Sequence, residues 1–276
     1  MSREVKDRKR LSDAFGIPSW FWTRSSEEAS GFFHAQYVSQ ANGSNKLNMV
    51  SRFLIKHVGD SERDKHIGKH DLVGDSSDLV TANNIKNGSI SYHWQRLSFV
   101  YSWQASDQPQ LLCLLPANTL TEFADWWKTE NIDMASSSPF ILLAKSLEYV
   151  VASFDHAVWS WRDVVRHLEK RRLEVDNLQK DWVVRMHEIA RHAIHSSEML
   201  EMALHVVDSL LTEIDREKDL DNSRVHSTTG RSDQSGDIKR LKTMLQCIHL
   251  RSQALEKRIQ NEMALVRNYL TDSTRP

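Results

Sequence analysis

The sequence has few of the residues that usually identify secreted, membrane-embedded or nucleotide-binding proteins. Two cysteines in 276 residues are too few for a disulfide framework and fit a reducing compartment. None of the nine glycines forms a phosphate-binding GxGxxG or GxxxxGK loop. No apolar run approaches the roughly 18 residues that a membrane helix needs. The chain as given is therefore expected to be cytoplasmic.

The charges are nearly balanced, with 36 Lys and Arg residues against 37 Asp and Glu residues. A protein that binds nucleic acid usually has a basic stripe, so no such partner is expected. Nine tryptophans are the unusual feature of the composition, and they predict large aromatic anchors in a core or an interface. Both cysteines, Cys113 and Cys247, lie among apolar neighbours and are expected to be buried.

Residues 1–138 predict a mixed α/β (or α+β) domain. Segments rich in β-branched and aromatic residues predict strands at 47–58, 92–103 and 110–116, although a helix stays open for the second of them. Residues 59–89 contain four glycines and many Asp, Asn and Ser residues, which predicts a mobile loop.

A helix is predicted after Pro116, over residues 120–130, with Asn118 or Thr119 as its cap. From residue 139 onwards the sequence has the periodicity of long helices.

Residues 139–218 predict a long helical hairpin with a hinge at 169–181, because a single helix of about 80 residues is improbable in a compact domain. Residues 219–236 are polar and contain Gly and Ser, which indicates a flexible linker. A stalk-like terminal helix is predicted at 237–272, about 50 Å long at 1.5 Å per residue.

The terminal helix has an apolar seam that advances in steps of three and four residues, as in a coiled coil. This spacing predicts helix-mediated association and a homo-oligomer. The seam consists of Leu241, Leu245, Ile248, Leu255, Ile259, Met263, Val266 and Leu270.

The stretch HEIARHAIH at 187–195 is the most suggestive candidate for site chemistry. His187 and His192 are five residues apart and point in different directions, so the two-histidine zinc protease motif is absent. His192 and His195, three apart, could share a metal, but no third ligand is recognisable. Glu188 and His192, four apart, predict a pair on the helix surface. No nucleophile, base or cofactor set is visible, so the chain is not expected to be an enzyme.

Three stretches together resemble one family. They are WQRLSFVYSWQ at 94–104 followed by LLCLLP, HEIARHAIHSSEMLEMA at 187–203, and IHLRSQALEKRIQNEMALVRNYL at 248–270. They resemble the soluble N-terminal region of fungal CorA-like magnesium transporter proteins. The resemblance implies a cytosolic α/β domain followed by long, mostly antiparallel helices. The last of these helices continues into the membrane in that family, which forms pentamers.

The resemblance also implies divalent cations, such as magnesium, at subunit boundaries, where they hold the channel shut. This chain has neither the family's Gly-Met-Asn signature nor a membrane span, so no metal ligand carries over. The expected function is a regulatory or assembly role of a CorA-like cytosolic domain without a pore. The chain would be membrane-associated if the natural protein continues past residue 276. The alternative is a soluble interaction or scaffold protein that keeps the fold.

Overall fold

The computed structural model describes residues 7–39, 45–59, 85–86, 89–104, 109–130, 139–171, 180–222 and 234–273. These residues form a mixed α/β fold with an antiparallel four-stranded sheet and long helices, which confirms the coarse fold class. The helices are α1 (Arg8–Phe15), a short 3-10 helix (Ser19–Trp22), α2 (Arg24–Glu28), α3 (Ala117–Thr129), α4 (Pro139–Arg171), α5 (Lys180–Asn222) and α6 (Gln234–Ser273). The strands are β1 (Gly31–Ser39), β2 (Asn45–Val58), β3 (Ile85–Lys86), β4 (Ser89–Ile90), β5 (Tyr92–Gln104) and β6 (Gln110–Leu114).

The four long strands are ordered β1-β2-β5-β6 in the sheet. Strand β1 pairs antiparallel with β2, from Gly31 opposite Phe53 to Ser39 opposite Asn45. Strand β6 pairs antiparallel with β5. The three strands predicted from β-branched and aromatic residues are therefore present as β2, β5 and β6.

Most of β5 is buried on both faces, which explains why its alternation of polar and apolar residues is weak. Gln95 and Ser98 are buried among apolar neighbours such as Leu97 and Phe99. Buried polar side chains must be hydrogen-bonded, and both of these residues are, to Thr119 and Arg52 respectively. A strand covered on both faces has no solvent-facing side, so its sequence need not alternate between polar and apolar residues.

Part of the predicted loop at 59–89 is a strand ribbon. Strands β3 and β4 pair antiparallel, with Ile85 opposite Ile90. Residues 60–84 and 87–88 lie outside the described residues, so the rest of this prediction is untested.

The N-terminus of α3 differs from its prediction. The helix begins at Ala117, Pro116 occupies the cap position, and no side chain caps it. The hydroxyl of Thr119 instead accepts a hydrogen bond of 3.0 Å from the side-chain amide of Gln95. The predicted cap by Asn118 or Thr119 is therefore wrong, because proline fixes the entry to the helix and a tertiary contact uses the threonine.

The long helices extend further than their predicted limits. Helix α5 continues to Asn222 and α6 begins at Gln234, so both ends of the predicted linker at 219–236 are helical. The middle of that linker, residues 223–233, lies outside the described part of the chain, as do residues 172–179 of the predicted hinge. Within the parts of the helices that are described, no stretch is both long and apolar enough to span a membrane.

The fold divides into two compact units, and each combines residues from either side of the predicted domain limit at residue 138. The first comprises Met1–Leu54, Gln95–Ala152 and Glu201–Leu245, and the second Ile55–Trp94, Ser153–Leu200 and Gln246–Pro276.

The first unit has a core in which Ile17, Phe21, Val50 and Val100 are buried together. Beside it lies the guanidinium of Arg52, 4.5 Å from the ring centroid of Phe21. This guanidinium donates hydrogen bonds to the Ser98 hydroxyl at 2.9 Å and to the Ser26 carbonyl. Burial, with a contribution from the charge of Arg96, lowers the pKa of Arg52 to about 10, so it stays charged at neutral pH.

A second aromatic cluster of the first unit joins α3 to the first part of α4. Phe123 is central to it, in edge contact with Tyr149 at 5.0 Å and in tilted contact with Trp126 and Trp127. The tryptophan pair at 126–127 thus packs against other aromatic rings, as the sequence predicts.

In the second unit α4 contacts the end of β2. Its Trp161 is buried, and the indole N–H donates a 3.0 Å hydrogen bond to the backbone carbonyl of Lys56. Two ion pairs join α4 to α6, Asp155 with Arg251 at 2.8 Å and Glu169 with Arg258. The Trp161 hydrogen bond thus joins the end of β2 to α4, and the ion pairs join α4 to α6.

The seam of α6 is covered by the chain itself. Six of its eight members are buried, namely Leu241, Leu245, Ile248, Leu255, Ile259 and Val266. Met263 is half-buried, and the side chain of Leu270 lies outside the described residues. Association of this seam with a second chain stays a prediction, and it would have to compete with this burial.

Candidate functional site

The second unit contains a lysine beneath two aromatic rings. Lys56 lies near the end of β2, and Tyr92 and Trp94 lie at the start of the neighbouring β5. Residues two apart on a strand point to the same face, so the two rings lie side by side. The Lys56 Nζ atom is 4.1 Å from the ring centroid of Tyr92 and 4.8 Å from that of Trp94. Both distances are within the range of cation–π attraction.

Helix α5 adds two histidines to this site, His192 and His195, which lie on one face of the helix because they are three residues apart. The Nζ atom of Lys56 is 3.1 Å from Nδ1 of His195. Because an ammonium group can only donate, this imidazole nitrogen accepts, and the ring proton is then on Nε2.

The ammonium group of Lys56 is buried, and burial disfavours a charge. The side chain is only 2% exposed, and among the residues that the structure describes no carboxylate lies within ion-pairing distance of it. Burial lowers the pKa of Lys56 to about 8, with a further contribution from Arg191 and an opposing one from Glu188. The amine therefore loses its proton much closer to neutral pH than a surface lysine does.

His192 is the buried base of the site, with 3% exposure. Its ring stacks on Trp161 at 4.9 Å and 25°, and it contacts Tyr92 at 4.6 Å. Burial and the positive charge of Lys56 lower the pKa of His192 to about 4. The Glu188 carboxylate is 3.8 Å from Nε2, too far for a hydrogen bond, and does not offset them. The same two causes lower the pKa of His195.

The opposite face of the same strands holds other histidines. His57 stacks on His93 at 5.2 Å and 12°, and it also contacts His156. Parallel stacked rings cannot direct their nitrogens at one ion. Within the described residues no group of three His, Cys, Asp or Glu side chains could hold a metal ion. His192 and His195 have no third ligand there either.

Two predictions about individual residues are wrong. The pair of Glu188 and His192 is not on the helix surface, because His192 is buried against Trp161. Cys247 is exposed rather than buried. Cys113 is only half-buried, and burial raises the pKa of its thiol to about 12, so it is unreactive.

Lys56, Tyr92 and Trp94 were missed from the sequence. One signal was available, because Lys56 follows the apolar residues 53–55 and precedes Val58 in the same strand. A lysine in such a place is almost never fully buried without a partner. Its partner, however, is 139 residues away along the chain, beyond any local pattern.

The comparisons with known proteins give one relative. No family model matches this chain. A protein described as "Notoamide biosynthesis cluster protein M'" from Aspergillus versicolor is 25% identical over 186 residues, which are 63% of this chain and 41% of that protein. The chain thus spans less than half the length of that relative.

This finding overturns the resemblance to CorA-like magnesium transporters. The relative is a protein of a biosynthesis cluster, so the expected regulatory role in magnesium transport is wrong. Divalent cations at subunit boundaries stay a prediction. The alternative as an interaction or scaffold protein gains no support either. The similarity instead relates this chain to a protein of a notoamide biosynthesis cluster.

Proposed function

We propose that this chain binds a planar small organic molecule on the aromatic surface of Tyr92 and Trp94, as a step in the biosynthesis of a small-molecule metabolite. Tyr92 is 45% exposed and Trp94 is 41% exposed, which is unusual for large aromatic side chains of a soluble domain. Two neighbouring, partly exposed rings offer an apolar aromatic surface on which a planar group can stack. We call these two rings the aromatic surface.

One observation supports binding over mere surface exposure, namely the ammonium group of Lys56 against both rings. A cation on one side of a ring attracts the π electrons toward it. The remaining ring surface then becomes a better partner for an electron-rich or anionic planar group. The buried charge therefore tunes the exposed rings, and it does so without exposing Lys56 to water.

The biosynthetic part of the proposal is supported by the relative of a notoamide biosynthesis cluster. Sites for small organic molecules are typically apolar with a few polar groups placed among them, as at the two rings and Lys56. We also propose that α4 and α5 pack as antiparallel neighbours. The contact of His192 on α5 with Trp161 on α4 supports this.

Binding without turnover is also part of this proposal. At 2% exposure, Lys56 reaches a bound molecule only when one of the covering rings turns aside, which does not suit rapid turnover. The expectation that the chain is not an enzyme stays a prediction, and product analysis with purified protein would test it.

Calorimetric titration tests the binding proposal with two anions of the same charge and skeleton size. The first, 2-naphthoate, is planar and aromatic, whereas decahydro-2-naphthoate is saturated and cannot stack. We expect 2-naphthoate to bind more tightly. Replacing Trp94 or Tyr92 with Leu should weaken its binding about 3- to 10-fold, because an aromatic contact contributes about 0.5–1.5 kcal/mol.

Trp159 offers a matched control in the same unit. It is 38% exposed, but its ring already contacts the guanidinium groups of Arg162 and Arg251, each at 4.5 Å. Trp159→Leu should leave the binding of 2-naphthoate unchanged. Equal affinity for the two anions, or an equal loss in Trp159→Leu and Trp94→Leu, would contradict the proposal.

A further inference from the structure

Lys56 has the surroundings of a reactive amine. Its Nζ atom is 3.1 Å from a neutral imidazole nitrogen of His195, and no carboxylate among the described residues holds it as an ion pair. We propose that Lys56 captures an aldehyde or ketone group of the bound molecule as an imine, with His195 as the group that accepts and returns the proton. This inference rests on the proposed function, because the molecule on the aromatic surface supplies the carbonyl group.

The proton transfers balance without any oxidant or reductant. His195 Nδ1 first takes a proton from the ammonium group, which leaves a neutral amine with a lone pair. The nitrogen attacks the carbonyl carbon, so the C–N bond forms as the C=O π bond breaks. The attacking nitrogen then passes one of its two protons to the oxygen, which becomes a hydroxyl. The protonated His195 then returns its proton to this hydroxyl, the C–O bond breaks, and water leaves as the C=N bond forms.

The lowered basicity of Lys56 supports this step. With a pKa of about 8, roughly a quarter of the amine is neutral at pH 7.5, whereas an ordinary lysine is neutral to roughly 0.1%. The concentration of the nucleophilic form is thus about 200-fold higher. This advantage is partly offset, since a less basic amine is also a weaker nucleophile.

Several titratable and charged groups lie around Lys56 and influence its pKa. The phenol of Tyr92 lies on β5, and α5 contributes the neutral histidines together with the opposite charges of Glu188 and Arg191. Helix α4 contributes only an uncharged contact, the indole of Trp161 to the Lys56 carbonyl. Lys56, with a pKa of about 8, is the group whose titration the test follows.

The aromatic surface controls access to the amine. Both rings cover Nζ and both are partly exposed, so either one can change its rotamer on a short timescale. A planar carbonyl compound stacked on one ring would lie within a few ångströms of Nζ once the other ring turns aside. The two rings would then position the carbonyl group for attack.

Reductive trapping on the full chain tests the inference. The protein is incubated at pH 7.5 with benzaldehyde and cyanoborohydride, which reduces an imine to a stable secondary amine, and the modified lysines are mapped by peptide mass spectrometry. Lys145 is the internal control, since it is more exposed than Lys56, yet it is paired with Glu130 at 2.8 Å and Glu148 at 2.9 Å, which raises its pKa. We expect Lys56 to be modified at least 10-fold faster than Lys145. An equal or slower rate at Lys56 would overturn the proposal without the need for any variant.

Two substitutions separate the roles of the residues. In Lys56→Met the fast modification should disappear while that of Lys145 stays. In His195→Asn the rate at Lys56 should fall about 10-fold, and the midpoint of its pH profile, near 8 in the original chain, should shift. An unchanged rate and an unchanged pH profile in His195→Asn would refute the role of His195 as proton acceptor.

The outcome can be separated from that of the proposed function. The carboxylate 2-naphthoate forms no imine, so its binding reports on the aromatic surface alone. If 2-naphthoate binds and Lys56 is not trapped, the imine inference fails and the proposed function stands. If Lys56 is trapped and 2-naphthoate does not bind, the aromatic surface is refuted as the binding site.

Discussion

Protonation of His192 should destabilise this protein in mild acid. The buried ring is neutral in the folded chain, with a pKa lowered to about 4, whereas in the unfolded chain it has the ordinary value of about 6.5. Between these two values the unfolded state binds one more proton than the folded state. The free energy of unfolding therefore decreases as the pH falls from 6.5 to 4. Above pH 6.5 the ring is neutral in both states, so the full stability is present there.

The size of the effect follows from the two pKa values. A difference of 2.5 pKa units corresponds to about 3 kcal/mol when the transition is complete. Relative to pH 7.5, the expected loss is about 1.4 kcal/mol at pH 5.5 and about 2.5 kcal/mol at pH 4.5. Unfolding in urea, followed by circular dichroism at these three pH values, measures the loss directly.

The variant His192→Phe isolates this contribution. Phenylalanine keeps a flat ring against Trp161, and neither nitrogen of the original imidazole has a hydrogen-bond partner among the residues that the structure describes. The variant should therefore be about as stable as the original chain at pH 7.5, within about 1 kcal/mol. At pH 4.5 it should be more stable by about 2.5 kcal/mol, because it has no group to protonate there.

A matched substitution at the surface of the same helix completes the test. His187 is exposed on α5, and His187→Phe should leave the loss between pH 7.5 and pH 4.5 unchanged. Carboxylates elsewhere contribute equally in all three proteins and cancel in the comparison. If His192→Phe loses as much stability in acid as the original chain, the burial of a neutral His192 is refuted.

Two further predictions concern stability. Between pH 8 and pH 10 the free energy of unfolding of the original chain should rise by about 2 kcal/mol, because the folded state releases the Lys56 proton near pH 8 and the unfolded state near 10.5. Lys56→Met should lack this rise in urea unfolding. Parallel curves for the two proteins would contradict this. Gly16→Ala should lower the melting temperature and cost at least about 1 kcal/mol, since Gly16 has φ of 64° and a Cβ atom there would lie 2.2 Å from the Asn48 side chain; an unchanged melting temperature would show that neither constraint is real.

The architecture was readable from the sequence wherever one local rule dominates. The absence of Gly and Pro together with steps of three and four residues predicted the long helices, and β-branched runs predicted three of the strands. The limits of the helices were less certain. The polar residues up to Asn222 are compatible with either a helix end or a linker, and the structure continues the helix through them.

The site was not readable because it depends on contacts between distant segments. Residues from β2, β5, α4 and α5 meet at Lys56, and a period within one segment carries no information about which other segment covers it. The wrong family resemblance has a related cause. Heptad-like seams such as Leu241, Leu245 and Ile248 occur in many unrelated helical proteins, so a match based on them shows the helical pattern and not the family.

Lys56, His192 and His195 together carry one positive charge at neutral pH. Because Lys56 is the most basic of them, it carries the charge at neutral pH, and that charge is one reason why His192 and His195 stay neutral. The neutral His195 in turn provides the acceptor that the buried ammonium group needs. A core that served folding alone would gain from an apolar residue in place of Lys56, since a buried charge costs stability and no carboxylate in the described part of the chain pairs with this one. The imine chemistry proposed for Lys56 would account for this cost to stability.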